Sequence, residues 1–217
     1  MEATRPATSS PLTPLPRAFY ARPVLTVARE CIGQILVRRT AEGTVAGRIV
    51  EAEAYRGPED RAAHSFGGRR TPRTEVMFGP PGHAYVFFVY GMHHQFNLVT
   101  TREDVPHAVL IRAVEPLLGV DLMGKRRGLR PEDPRLTSGP GRLCQAFAIT
   151  LTDTGADLCG RDLFLAGGKR VRVARSTRIG VDYAGAWADR LWRFVDPRSQ
   201  HLSRPIRVGL LRGAKGG

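Results

Sequence analysis

The chain has 217 residues, 42% of them hydrophobic and 24% charged, an ordinary balance for a globular protein. A domain of this length buries roughly 70% of its unfolded surface and needs no disulfide or metal to hold it. Its 24 glycines and 16 prolines are too few for collagen or a low-complexity chain. The formal net charge is +13, and Lys125, Lys169 and Lys215 are the only lysines, so the surplus is carried by arginine. The planar guanidinium fork suits phosphate geometry and so points to nucleic acid as a partner, with solvated surface charge an equal alternative on this observation alone.

The longest aromatic-aliphatic stretch, Ala84 to Tyr90, has seven residues, far short of the ~18 needed to span a membrane. No membrane association is expected. The first residues lack the apolar core of a signal peptide. Cys31, Cys144 and Cys159 are odd in number and contain no C-x-x-C pair, which argues against a disulfide framework or zinc site and for a reducing compartment. The expected location is the cytoplasm, at the nucleoid in a bacterium.

Residues 1–17 hold four prolines among Ser and Thr and are expected to form a disordered arm. Helical periodicity runs from Val24 through Leu25, Ala28, Cys31 and Ile32 to Gly33. Residues 35–38 and 44–55 read as strands joined by the turn at Ala41-Glu42-Gly43. Residues 56–82, rich in Gly, Pro and Arg, read as a long loop with one short helix. Segments 83–90 and 95–101 read as a hairpin tipped by Gly91-Met92-His93-His94, and 108–114 as another strand. Gly139-Pro140-Gly141-Arg142 leads into a helix, and later strands complete the domain. The elements predict one α+β domain with a mainly antiparallel sheet, spanning 18–207, with 208–217 as a flexible tail.

Alternate side chains of a strand share a face. In Arg48-Ile-Val-Glu-Ala-Glu-Ala-Tyr55, Val50, Ala52 and Ala54 should therefore turn to the core, and Glu51, Glu53 and Tyr55 to the opposite space. A carboxyl in apolar surroundings can act as base or acid near neutral pH; solvated glutamates on an edge strand are the simpler alternative. Arg112, alone in the apolar strand Ala108-Val-Leu-Ile-Arg-Ala-Val114, cannot be buried unpaired. It is expected to meet Glu51 or Glu53, as a structural ion pair or a catalytic group. Tyr85 and Phe87 suit a core, whereas Tyr90 and Met92 flank a turn glycine, where proteins that kink duplexes place apolar wedges. His64, His83, His93 and His94 show no H-E-x-x-H or comparable spacing, so a metal is the weaker reading.

Five runs in order carry a resemblance: Gly47-Arg-Ile-Val-Glu-Ala-Glu-Ala-Tyr-Arg-Gly-Pro-Glu-Asp-Arg-Ala-Ala-His-Ser65, Met77-Phe-Gly-Pro-Pro-Gly-His-Ala-Tyr-Val86, Val89-Tyr-Gly-Met-His-His94, Ser138-Gly-Pro-Gly-Arg-Leu-Cys-Gln-Ala146 and Arg178-Ile-Gly-Val-Asp-Tyr-Ala-Gly-Ala-Trp-Ala-Asp189. Together they resemble the alkyladenine (3-methyladenine) DNA glycosylase family over roughly residues 24–205. The resemblance implies a single domain, a curved sheet flanked by helices, and a β-hairpin that intercalates into DNA. It also implies an enzyme that flips a damaged purine from duplex DNA and hydrolyses its N-glycosidic bond. Glu53 matches the general base that activates water, and Arg112 and the backbone carbonyl of Ile179 match groups that hold that water. Tyr55, His64 and Phe87 match the residues lining the flipped base, Phe87 standing where Tyr is usual and lacking its hydroxyl. Asn97 matches the residue that crowds the exocyclic amine of guanine. Tyr90 matches the residue that fills the gap in the duplex, and Met77, Met92, Arg69 and Arg142 fall where DNA is lined. Arg70 and Arg73 could add phosphate contacts, and Arg142 opens a helix whose amides favour phosphate. The implied partner is double-stranded DNA containing damaged purines, met by a monomer without metal or cofactor. His93 and Gln95 depart from the family's hairpin composition, and Leu191 stands where Pro is frequent.

Two rival readings remain at this level. A sugar glycosidase also uses paired carboxylates, but Trp187 and Trp192 are the only tryptophans and +13 is a poor match to a neutral sugar. A non-catalytic nucleic-acid-binding module explains the charge and leaves the Glu51/Glu53 face without a role.

Overall fold

The computed structural model describes residues 12–89 and 91–206. Two short helices come first, α1 (Arg17–Tyr20) and α2 (Val24–Glu30). The second buries Val24, Val27 and Ala28, the three-and-four spacing that turns one helical face to a core. The strands β1 (Ile35–Thr40) and β2 (Gly43–Arg56) pair antiparallel from Ile35↔Arg48 to Thr40↔Gly43, and Gly43 adopts φ +136°, which side-chain-bearing residues rarely take. A long loop with two 3-10 turns, Phe66–Gly68 and Glu75–Phe78, leads to β3 (Ala84–Val89), β4 (His93–Thr100) and β5 (His107–Leu118). Then follow α3 (Val120–Arg127), α4 (Pro140–Phe147), β6 (Leu163–Ala166), β7 (Ala174–Ser176) and β8 (Arg193–Val195).

All eight strands belong to one antiparallel sheet in the order β3-β4-β5-β2-β1-β6, with β8 joining β2 and β7 joining β8. β2 is the spine: β5 lines one edge, while β1 and β8 share the other. One face carries Ala52, Ala54, Ala84, Val86, Phe96, Leu98, Val109 and Ile111 into the main core, packed against Val27 and Ala28 of α2 and Leu143, Ala146 and Phe147 of α4. The other face belongs to the intervening residues. Across it Tyr85 pairs with Asn97, Asn97 with Leu110, Leu110 with Glu53 and Glu53 with Arg193, so one transverse row crosses five strands. The result is a single α+β domain with a curled antiparallel sheet.

The structure departs from the sequence reading in four places. The register between β2 and β5 shifts at Ile49/Glu51 and again at Glu51/Ala52. Such an irregularity changes the phase of a strand, so Ile49 joins Ala52 and Ala54 in the core cluster instead of Val50. β2 is central, not an edge, and Glu51 and Glu53 are both fully buried. Residues 12–17, assigned to a disordered arm, lie on the sheet: Pro14 bridges Ala166, and Leu15 N–H donates to Leu165 O at 2.7 Å. The outer edge of β6 offers unpaired backbone groups, and this extended segment satisfies them. Finally, α2 stops at Glu30, and α1 and α3 have no counterpart in the sequence reading; α3 is polar, burying only Met123 and Gly124.

Candidate active site

Period-two alternation along β2 brings Glu53 and Tyr55 to the same face, and the Tyr55 hydroxyl donates to Glu53 Oε2 at 2.8 Å. From β5, Arg112 Nη1 donates to the same oxygen at 3.3 Å. The loop after β7 supplies the third partner, Ile179, whose N–H donates to Glu53 Oε1 at 2.8 Å. Thus Ile179 meets Glu53 through its amide, whereas the resemblance implies a role for its carbonyl. A carboxylate offers about four acceptor positions; these three donors leave one, on Oε1. Burial, followed by the Glu53 charge, pushes the Tyr55 phenol well above its ordinary range, so it stays a donor. For Arg112, burial opposes the charge, but Glu53 and Glu51 outweigh it and hold the guanidinium above its usual value.

The two carboxylates have different surroundings. Glu51 Oε1 accepts from Arg112 Nε at 3.0 Å, Arg193 Nε at 2.8 Å and Ser203 Oγ at 2.7 Å, and Oε2 accepts from Ser203 N–H at 2.6 Å. Glu51 thus receives four donors, three of them crowded on Oε1, and of the three residues that supply them only Arg112 also lines the cavity above Glu53. Arg193 was missed in the sequence, although Trp192-Arg193-Phe194-Val195 has the same signature as Arg112, one cation within an apolar strand. Also missed was the pair Asp60–Arg178, both side chains fully buried, with Nη1–Oδ2 at 2.5 Å and Nη2–Oδ1 at 2.9 Å. Arg178 donates as well to the carbonyls of Ala54 and Trp187 and lies over the Tyr55 ring at 4.8 Å. It thereby fixes the backbone just before Ile179.

Above Glu53 opens a cavity of about 360 Å³ lined by Tyr55, His64, Met77, Tyr85, Phe87, Asn97, Arg112 and Ile179, with Tyr183 and Arg204 among its exposed members. Every residue that the sequence assigned to catalysis or base binding except Glu53 itself lines this one space, and Glu53 lies directly behind three of them. His64 Nδ1 is 2.8 Å from the Tyr85 hydroxyl, and its ring meets Phe87 edge-on at 4.5 Å. Asn97 Nδ2 donates to Tyr85 O at 3.1 Å, which leaves its carbonyl oxygen for the cavity. Met77 is only 2% exposed and packs with Tyr85 and Phe87, so it lines the cavity wall and presents no outer surface to DNA.

Burial, with the Arg73 charge second, depresses the His64 pKa from 6.5 to about 4. The unfolded chain thus binds more protons than the folded one between these values, and stability rises with pH across that window. We expect the thermal midpoint to fall as pH drops from 7 towards 4, and His64→Phe to flatten this dependence; equal slopes for both proteins in pH-dependent denaturation would refute it.

Outside the cavity the expected DNA residues divide. Met92 is 68% exposed beyond β3; Tyr90 lies outside the described residues. Arg69 and Arg142 are exposed, the latter donating to Ser138 O at 3.2 Å. Arg73 stacks over Phe87 at 5.1 Å. Arg70 is engaged by Glu75 at 2.6 Å and Asp104 at 3.2 Å, so its charge is already countered. No group of three or more His, Cys, Asp or Glu able to hold a metal occurs among the described residues, and no helix there is long and apolar enough to cross a membrane.

Comparison with known proteins places this geometry in context. The family model of methylpurine-DNA glycosylase (MPG) matches residues 18–200. A Desulfitobacterium hafniense protein named "Putative 3-methyladenine DNA glycosylase" is 48% identical over 198 residues, covering 87% of this chain and 98% of its own. Proteins of the same name from Methanocella arvoryzae and Myxococcus xanthus are 48% and 49% identical, covering 88% of this chain and 96% and 93% of theirs.

Proposed function

The chain belongs to the methylpurine-DNA glycosylase family, and from that premise we propose that it flips alkylated or deaminated purines out of duplex DNA and hydrolyses their N-glycosidic bond with water activated by Glu53. The observation that carries this reading is a fully buried carboxylate with one acceptor position left, behind the wall of an aromatic cavity. A duplex hides both the base and its glycosidic bond, so a base must leave the stack at a cost of a few kcal/mol before this carboxylate can act on it.

The cavity residues divide the work. Tyr55, His64 and Phe87 enclose the extruded base; such rings attract an electron-poor, alkylated purine, which is already the better leaving group. Asn97 crowds the position of the guanine amine and so discriminates against the normal base. Water lodges on the remaining acceptor position of Glu53, steadied by Arg112 and the carbonyl of Ile179. As the glycosidic bond lengthens and positive charge grows on the sugar, the water attacks the anomeric carbon and passes its proton to Glu53. The base departs with the bonding electrons, and an abasic site remains. Tyr90 and Met92 serve as wedge residues filling the vacated stack, and Arg69, Arg73 and Arg142 neutralise phosphates; Arg70 contributes only by exchanging Glu75 or Asp104 for a phosphate. Met77 supports the pocket wall.

The test is incubation with alkylated duplex DNA followed by chromatography of free bases: released 3-methyladenine or another damaged purine supports the reading, and binding without release favours a non-catalytic module. The DNA strand is expected to stay intact. Strand-nicking glycosylases use an amine that forms a Schiff base with the sugar, and neither Lys125 nor Lys169 lines the cavity. Borohydride added during turnover should therefore trap no protein–DNA adduct. A lysine-dependent adduct, or strand cleavage without alkali, would overturn the water mechanism.

A further inference from the structure

The proposed reaction does not use one assembly, formed by the buried Glu51 and Arg193 with the half-buried Ser203. Burying a carboxylate and a guanidinium is costly even when they are paired, so the assembly must fix something that hydrophobic packing would place less accurately. Its bonds converge on two residues after β8. Glu51 accepts from both the amide and the hydroxyl of Ser203, at 2.6 and 2.7 Å. Arg193 Nη2 donates to the Arg204 carbonyl, and its Nη1 is tied to Ser176 Oγ at 3.1 Å. The segment 202–206 forms no helix or strand of its own. It is held in place by these buried charges.

What they deliver is Arg204. It is exposed, it lines the cavity, and its side chain has no hydrogen bond or ion pair to another described residue. Its position is also distinctive. His64, Tyr85, Phe87, Asn97 and Met77 form the wall suited to the base, whereas Arg112 and Ile179 bond Glu53 itself, and Arg204 directly follows Ser203, whose Oγ accepts from Arg112 Nε and Nη2 at 3.4 Å. The anomeric carbon must approach Glu53 for water to attack it, so the phosphates of the flipped nucleotide pass on that side. We propose that Arg204 grips the DNA phosphate adjoining the flipped nucleotide and that Glu51 and Arg193 hold its backbone in register with Glu53. The inference rests on the glycosylase reading and adds a positioning role for the substrate's backbone. An uncountered guanidinium can take two phosphate oxygens at once, and a phosphate contact fixes register without reading sequence.

The experiment compares wild type, Arg204→Lys and Arg204→Ala on lesion duplexes in which the linkage on either side of the lesion is phosphate or uncharged methylphosphonate. Binding across a salt series and single-turnover base release are both measured. Wild type should lose about tenfold in release when one particular linkage is neutralised. Arg204→Ala should show that loss on ordinary DNA, lose nothing further on the methylphosphonate, and bind with a salt slope smaller by about 1. Arg204→Lys should keep the wild-type slope, which a merely structural defect would not do. An Arg204→Ala protein with the wild-type slope, or with undiminished sensitivity to both methylphosphonates, overturns the proposal. An Arg204-dependent slope and linkage effect on binding, with no base released by any protein, upholds the phosphate contact and defeats the glycosylase reading instead.

Discussion

Glu53→Gln is expected to slow single-turnover base release by at least ~10² while leaving binding of a lesion duplex within about tenfold of wild type. The amide keeps the size of the carboxylate and one oxygen able to accept from Tyr55, Arg112 or Ile179, but it cannot take a proton from water. Glu53 is also the carboxylate bonded to three cavity-lining residues, Tyr55, Arg112 and Ile179, whereas Glu51 receives its donors from Arg112, Arg193 and Ser203, of which only Arg112 lines the cavity. Glu51→Gln should therefore act differently. It weakens the hold on Arg112 and Ser203, so it should lower stability and substrate binding along with release, and the conservative loss of charge should not isolate the chemical step. Rapid-quench measurement of free base from alkylated duplex distinguishes the two. If Glu53→Gln releases base at the wild-type rate and Glu51→Gln does not, the roles assigned to the two carboxylates are reversed.

The largest effect on stability is expected at Asp60. Asp60→Ala leaves the Arg178 guanidinium, fully buried, without its carboxylate, and uncompensated burial of one member of an ion pair costs about 3–5 kcal/mol. Asp60 also accepts the backbone amides of Arg56 at 3.1 Å and Ala62 at 3.0 Å, so the loop that brings His64 to the cavity loses its anchor in the same step. For a chain of this length such a loss lowers the thermal midpoint by roughly 6–20 °C. The double variant Asp60→Leu with Arg178→Met, which removes both charges, should be more stable than Asp60→Ala alone, because no unpaired charge remains. Calorimetry on the three proteins decides it: a midpoint within about 2 °C of wild type for Asp60→Ala would mean that Arg178 finds another partner or water.

How far the amino-acid sequence leads can be seen on β2. The alternation of Glu51, Ala52, Glu53, Ala54 and Tyr55 is a local property of a pleated strand, and it places the Glu53 carboxylate and the Tyr55 phenol on one face without knowledge of anything else in the chain. Arg112 is legible by the same kind of reasoning, because a cation inside an apolar strand requires a buried partner; the structure supplies both candidates at once, at 3.0 and 3.3 Å. Arg193 carried the same signal in a strand of three residues, too short for periodicity to mark it out. The motifs that resemble a known family identified the loop residues His64 and Ile179, which no periodicity would single out.

Residue pattern and motif thus determined the fold class, the face that bears the carboxylates and part of the cavity wall, but not Leu110, Tyr183 or Arg204. Tertiary structure alone decided which carboxylate is bonded to the cavity wall and which is tied to Arg193 and Ser203. Glu51 and Glu53 are chemically identical and two residues apart, and what separates them arrives from Arg112, Ile179, Arg193 and Ser203, some 60 to 150 positions away. The same is true of Arg70, whose partner Asp104 comes from a different loop, and of the phase of β2, which shifts where its register with β5 slips. Side-chain direction follows from the geometry of one strand, but a buried group's remaining hydrogen-bonding capacity depends on every donor that folding brings to it.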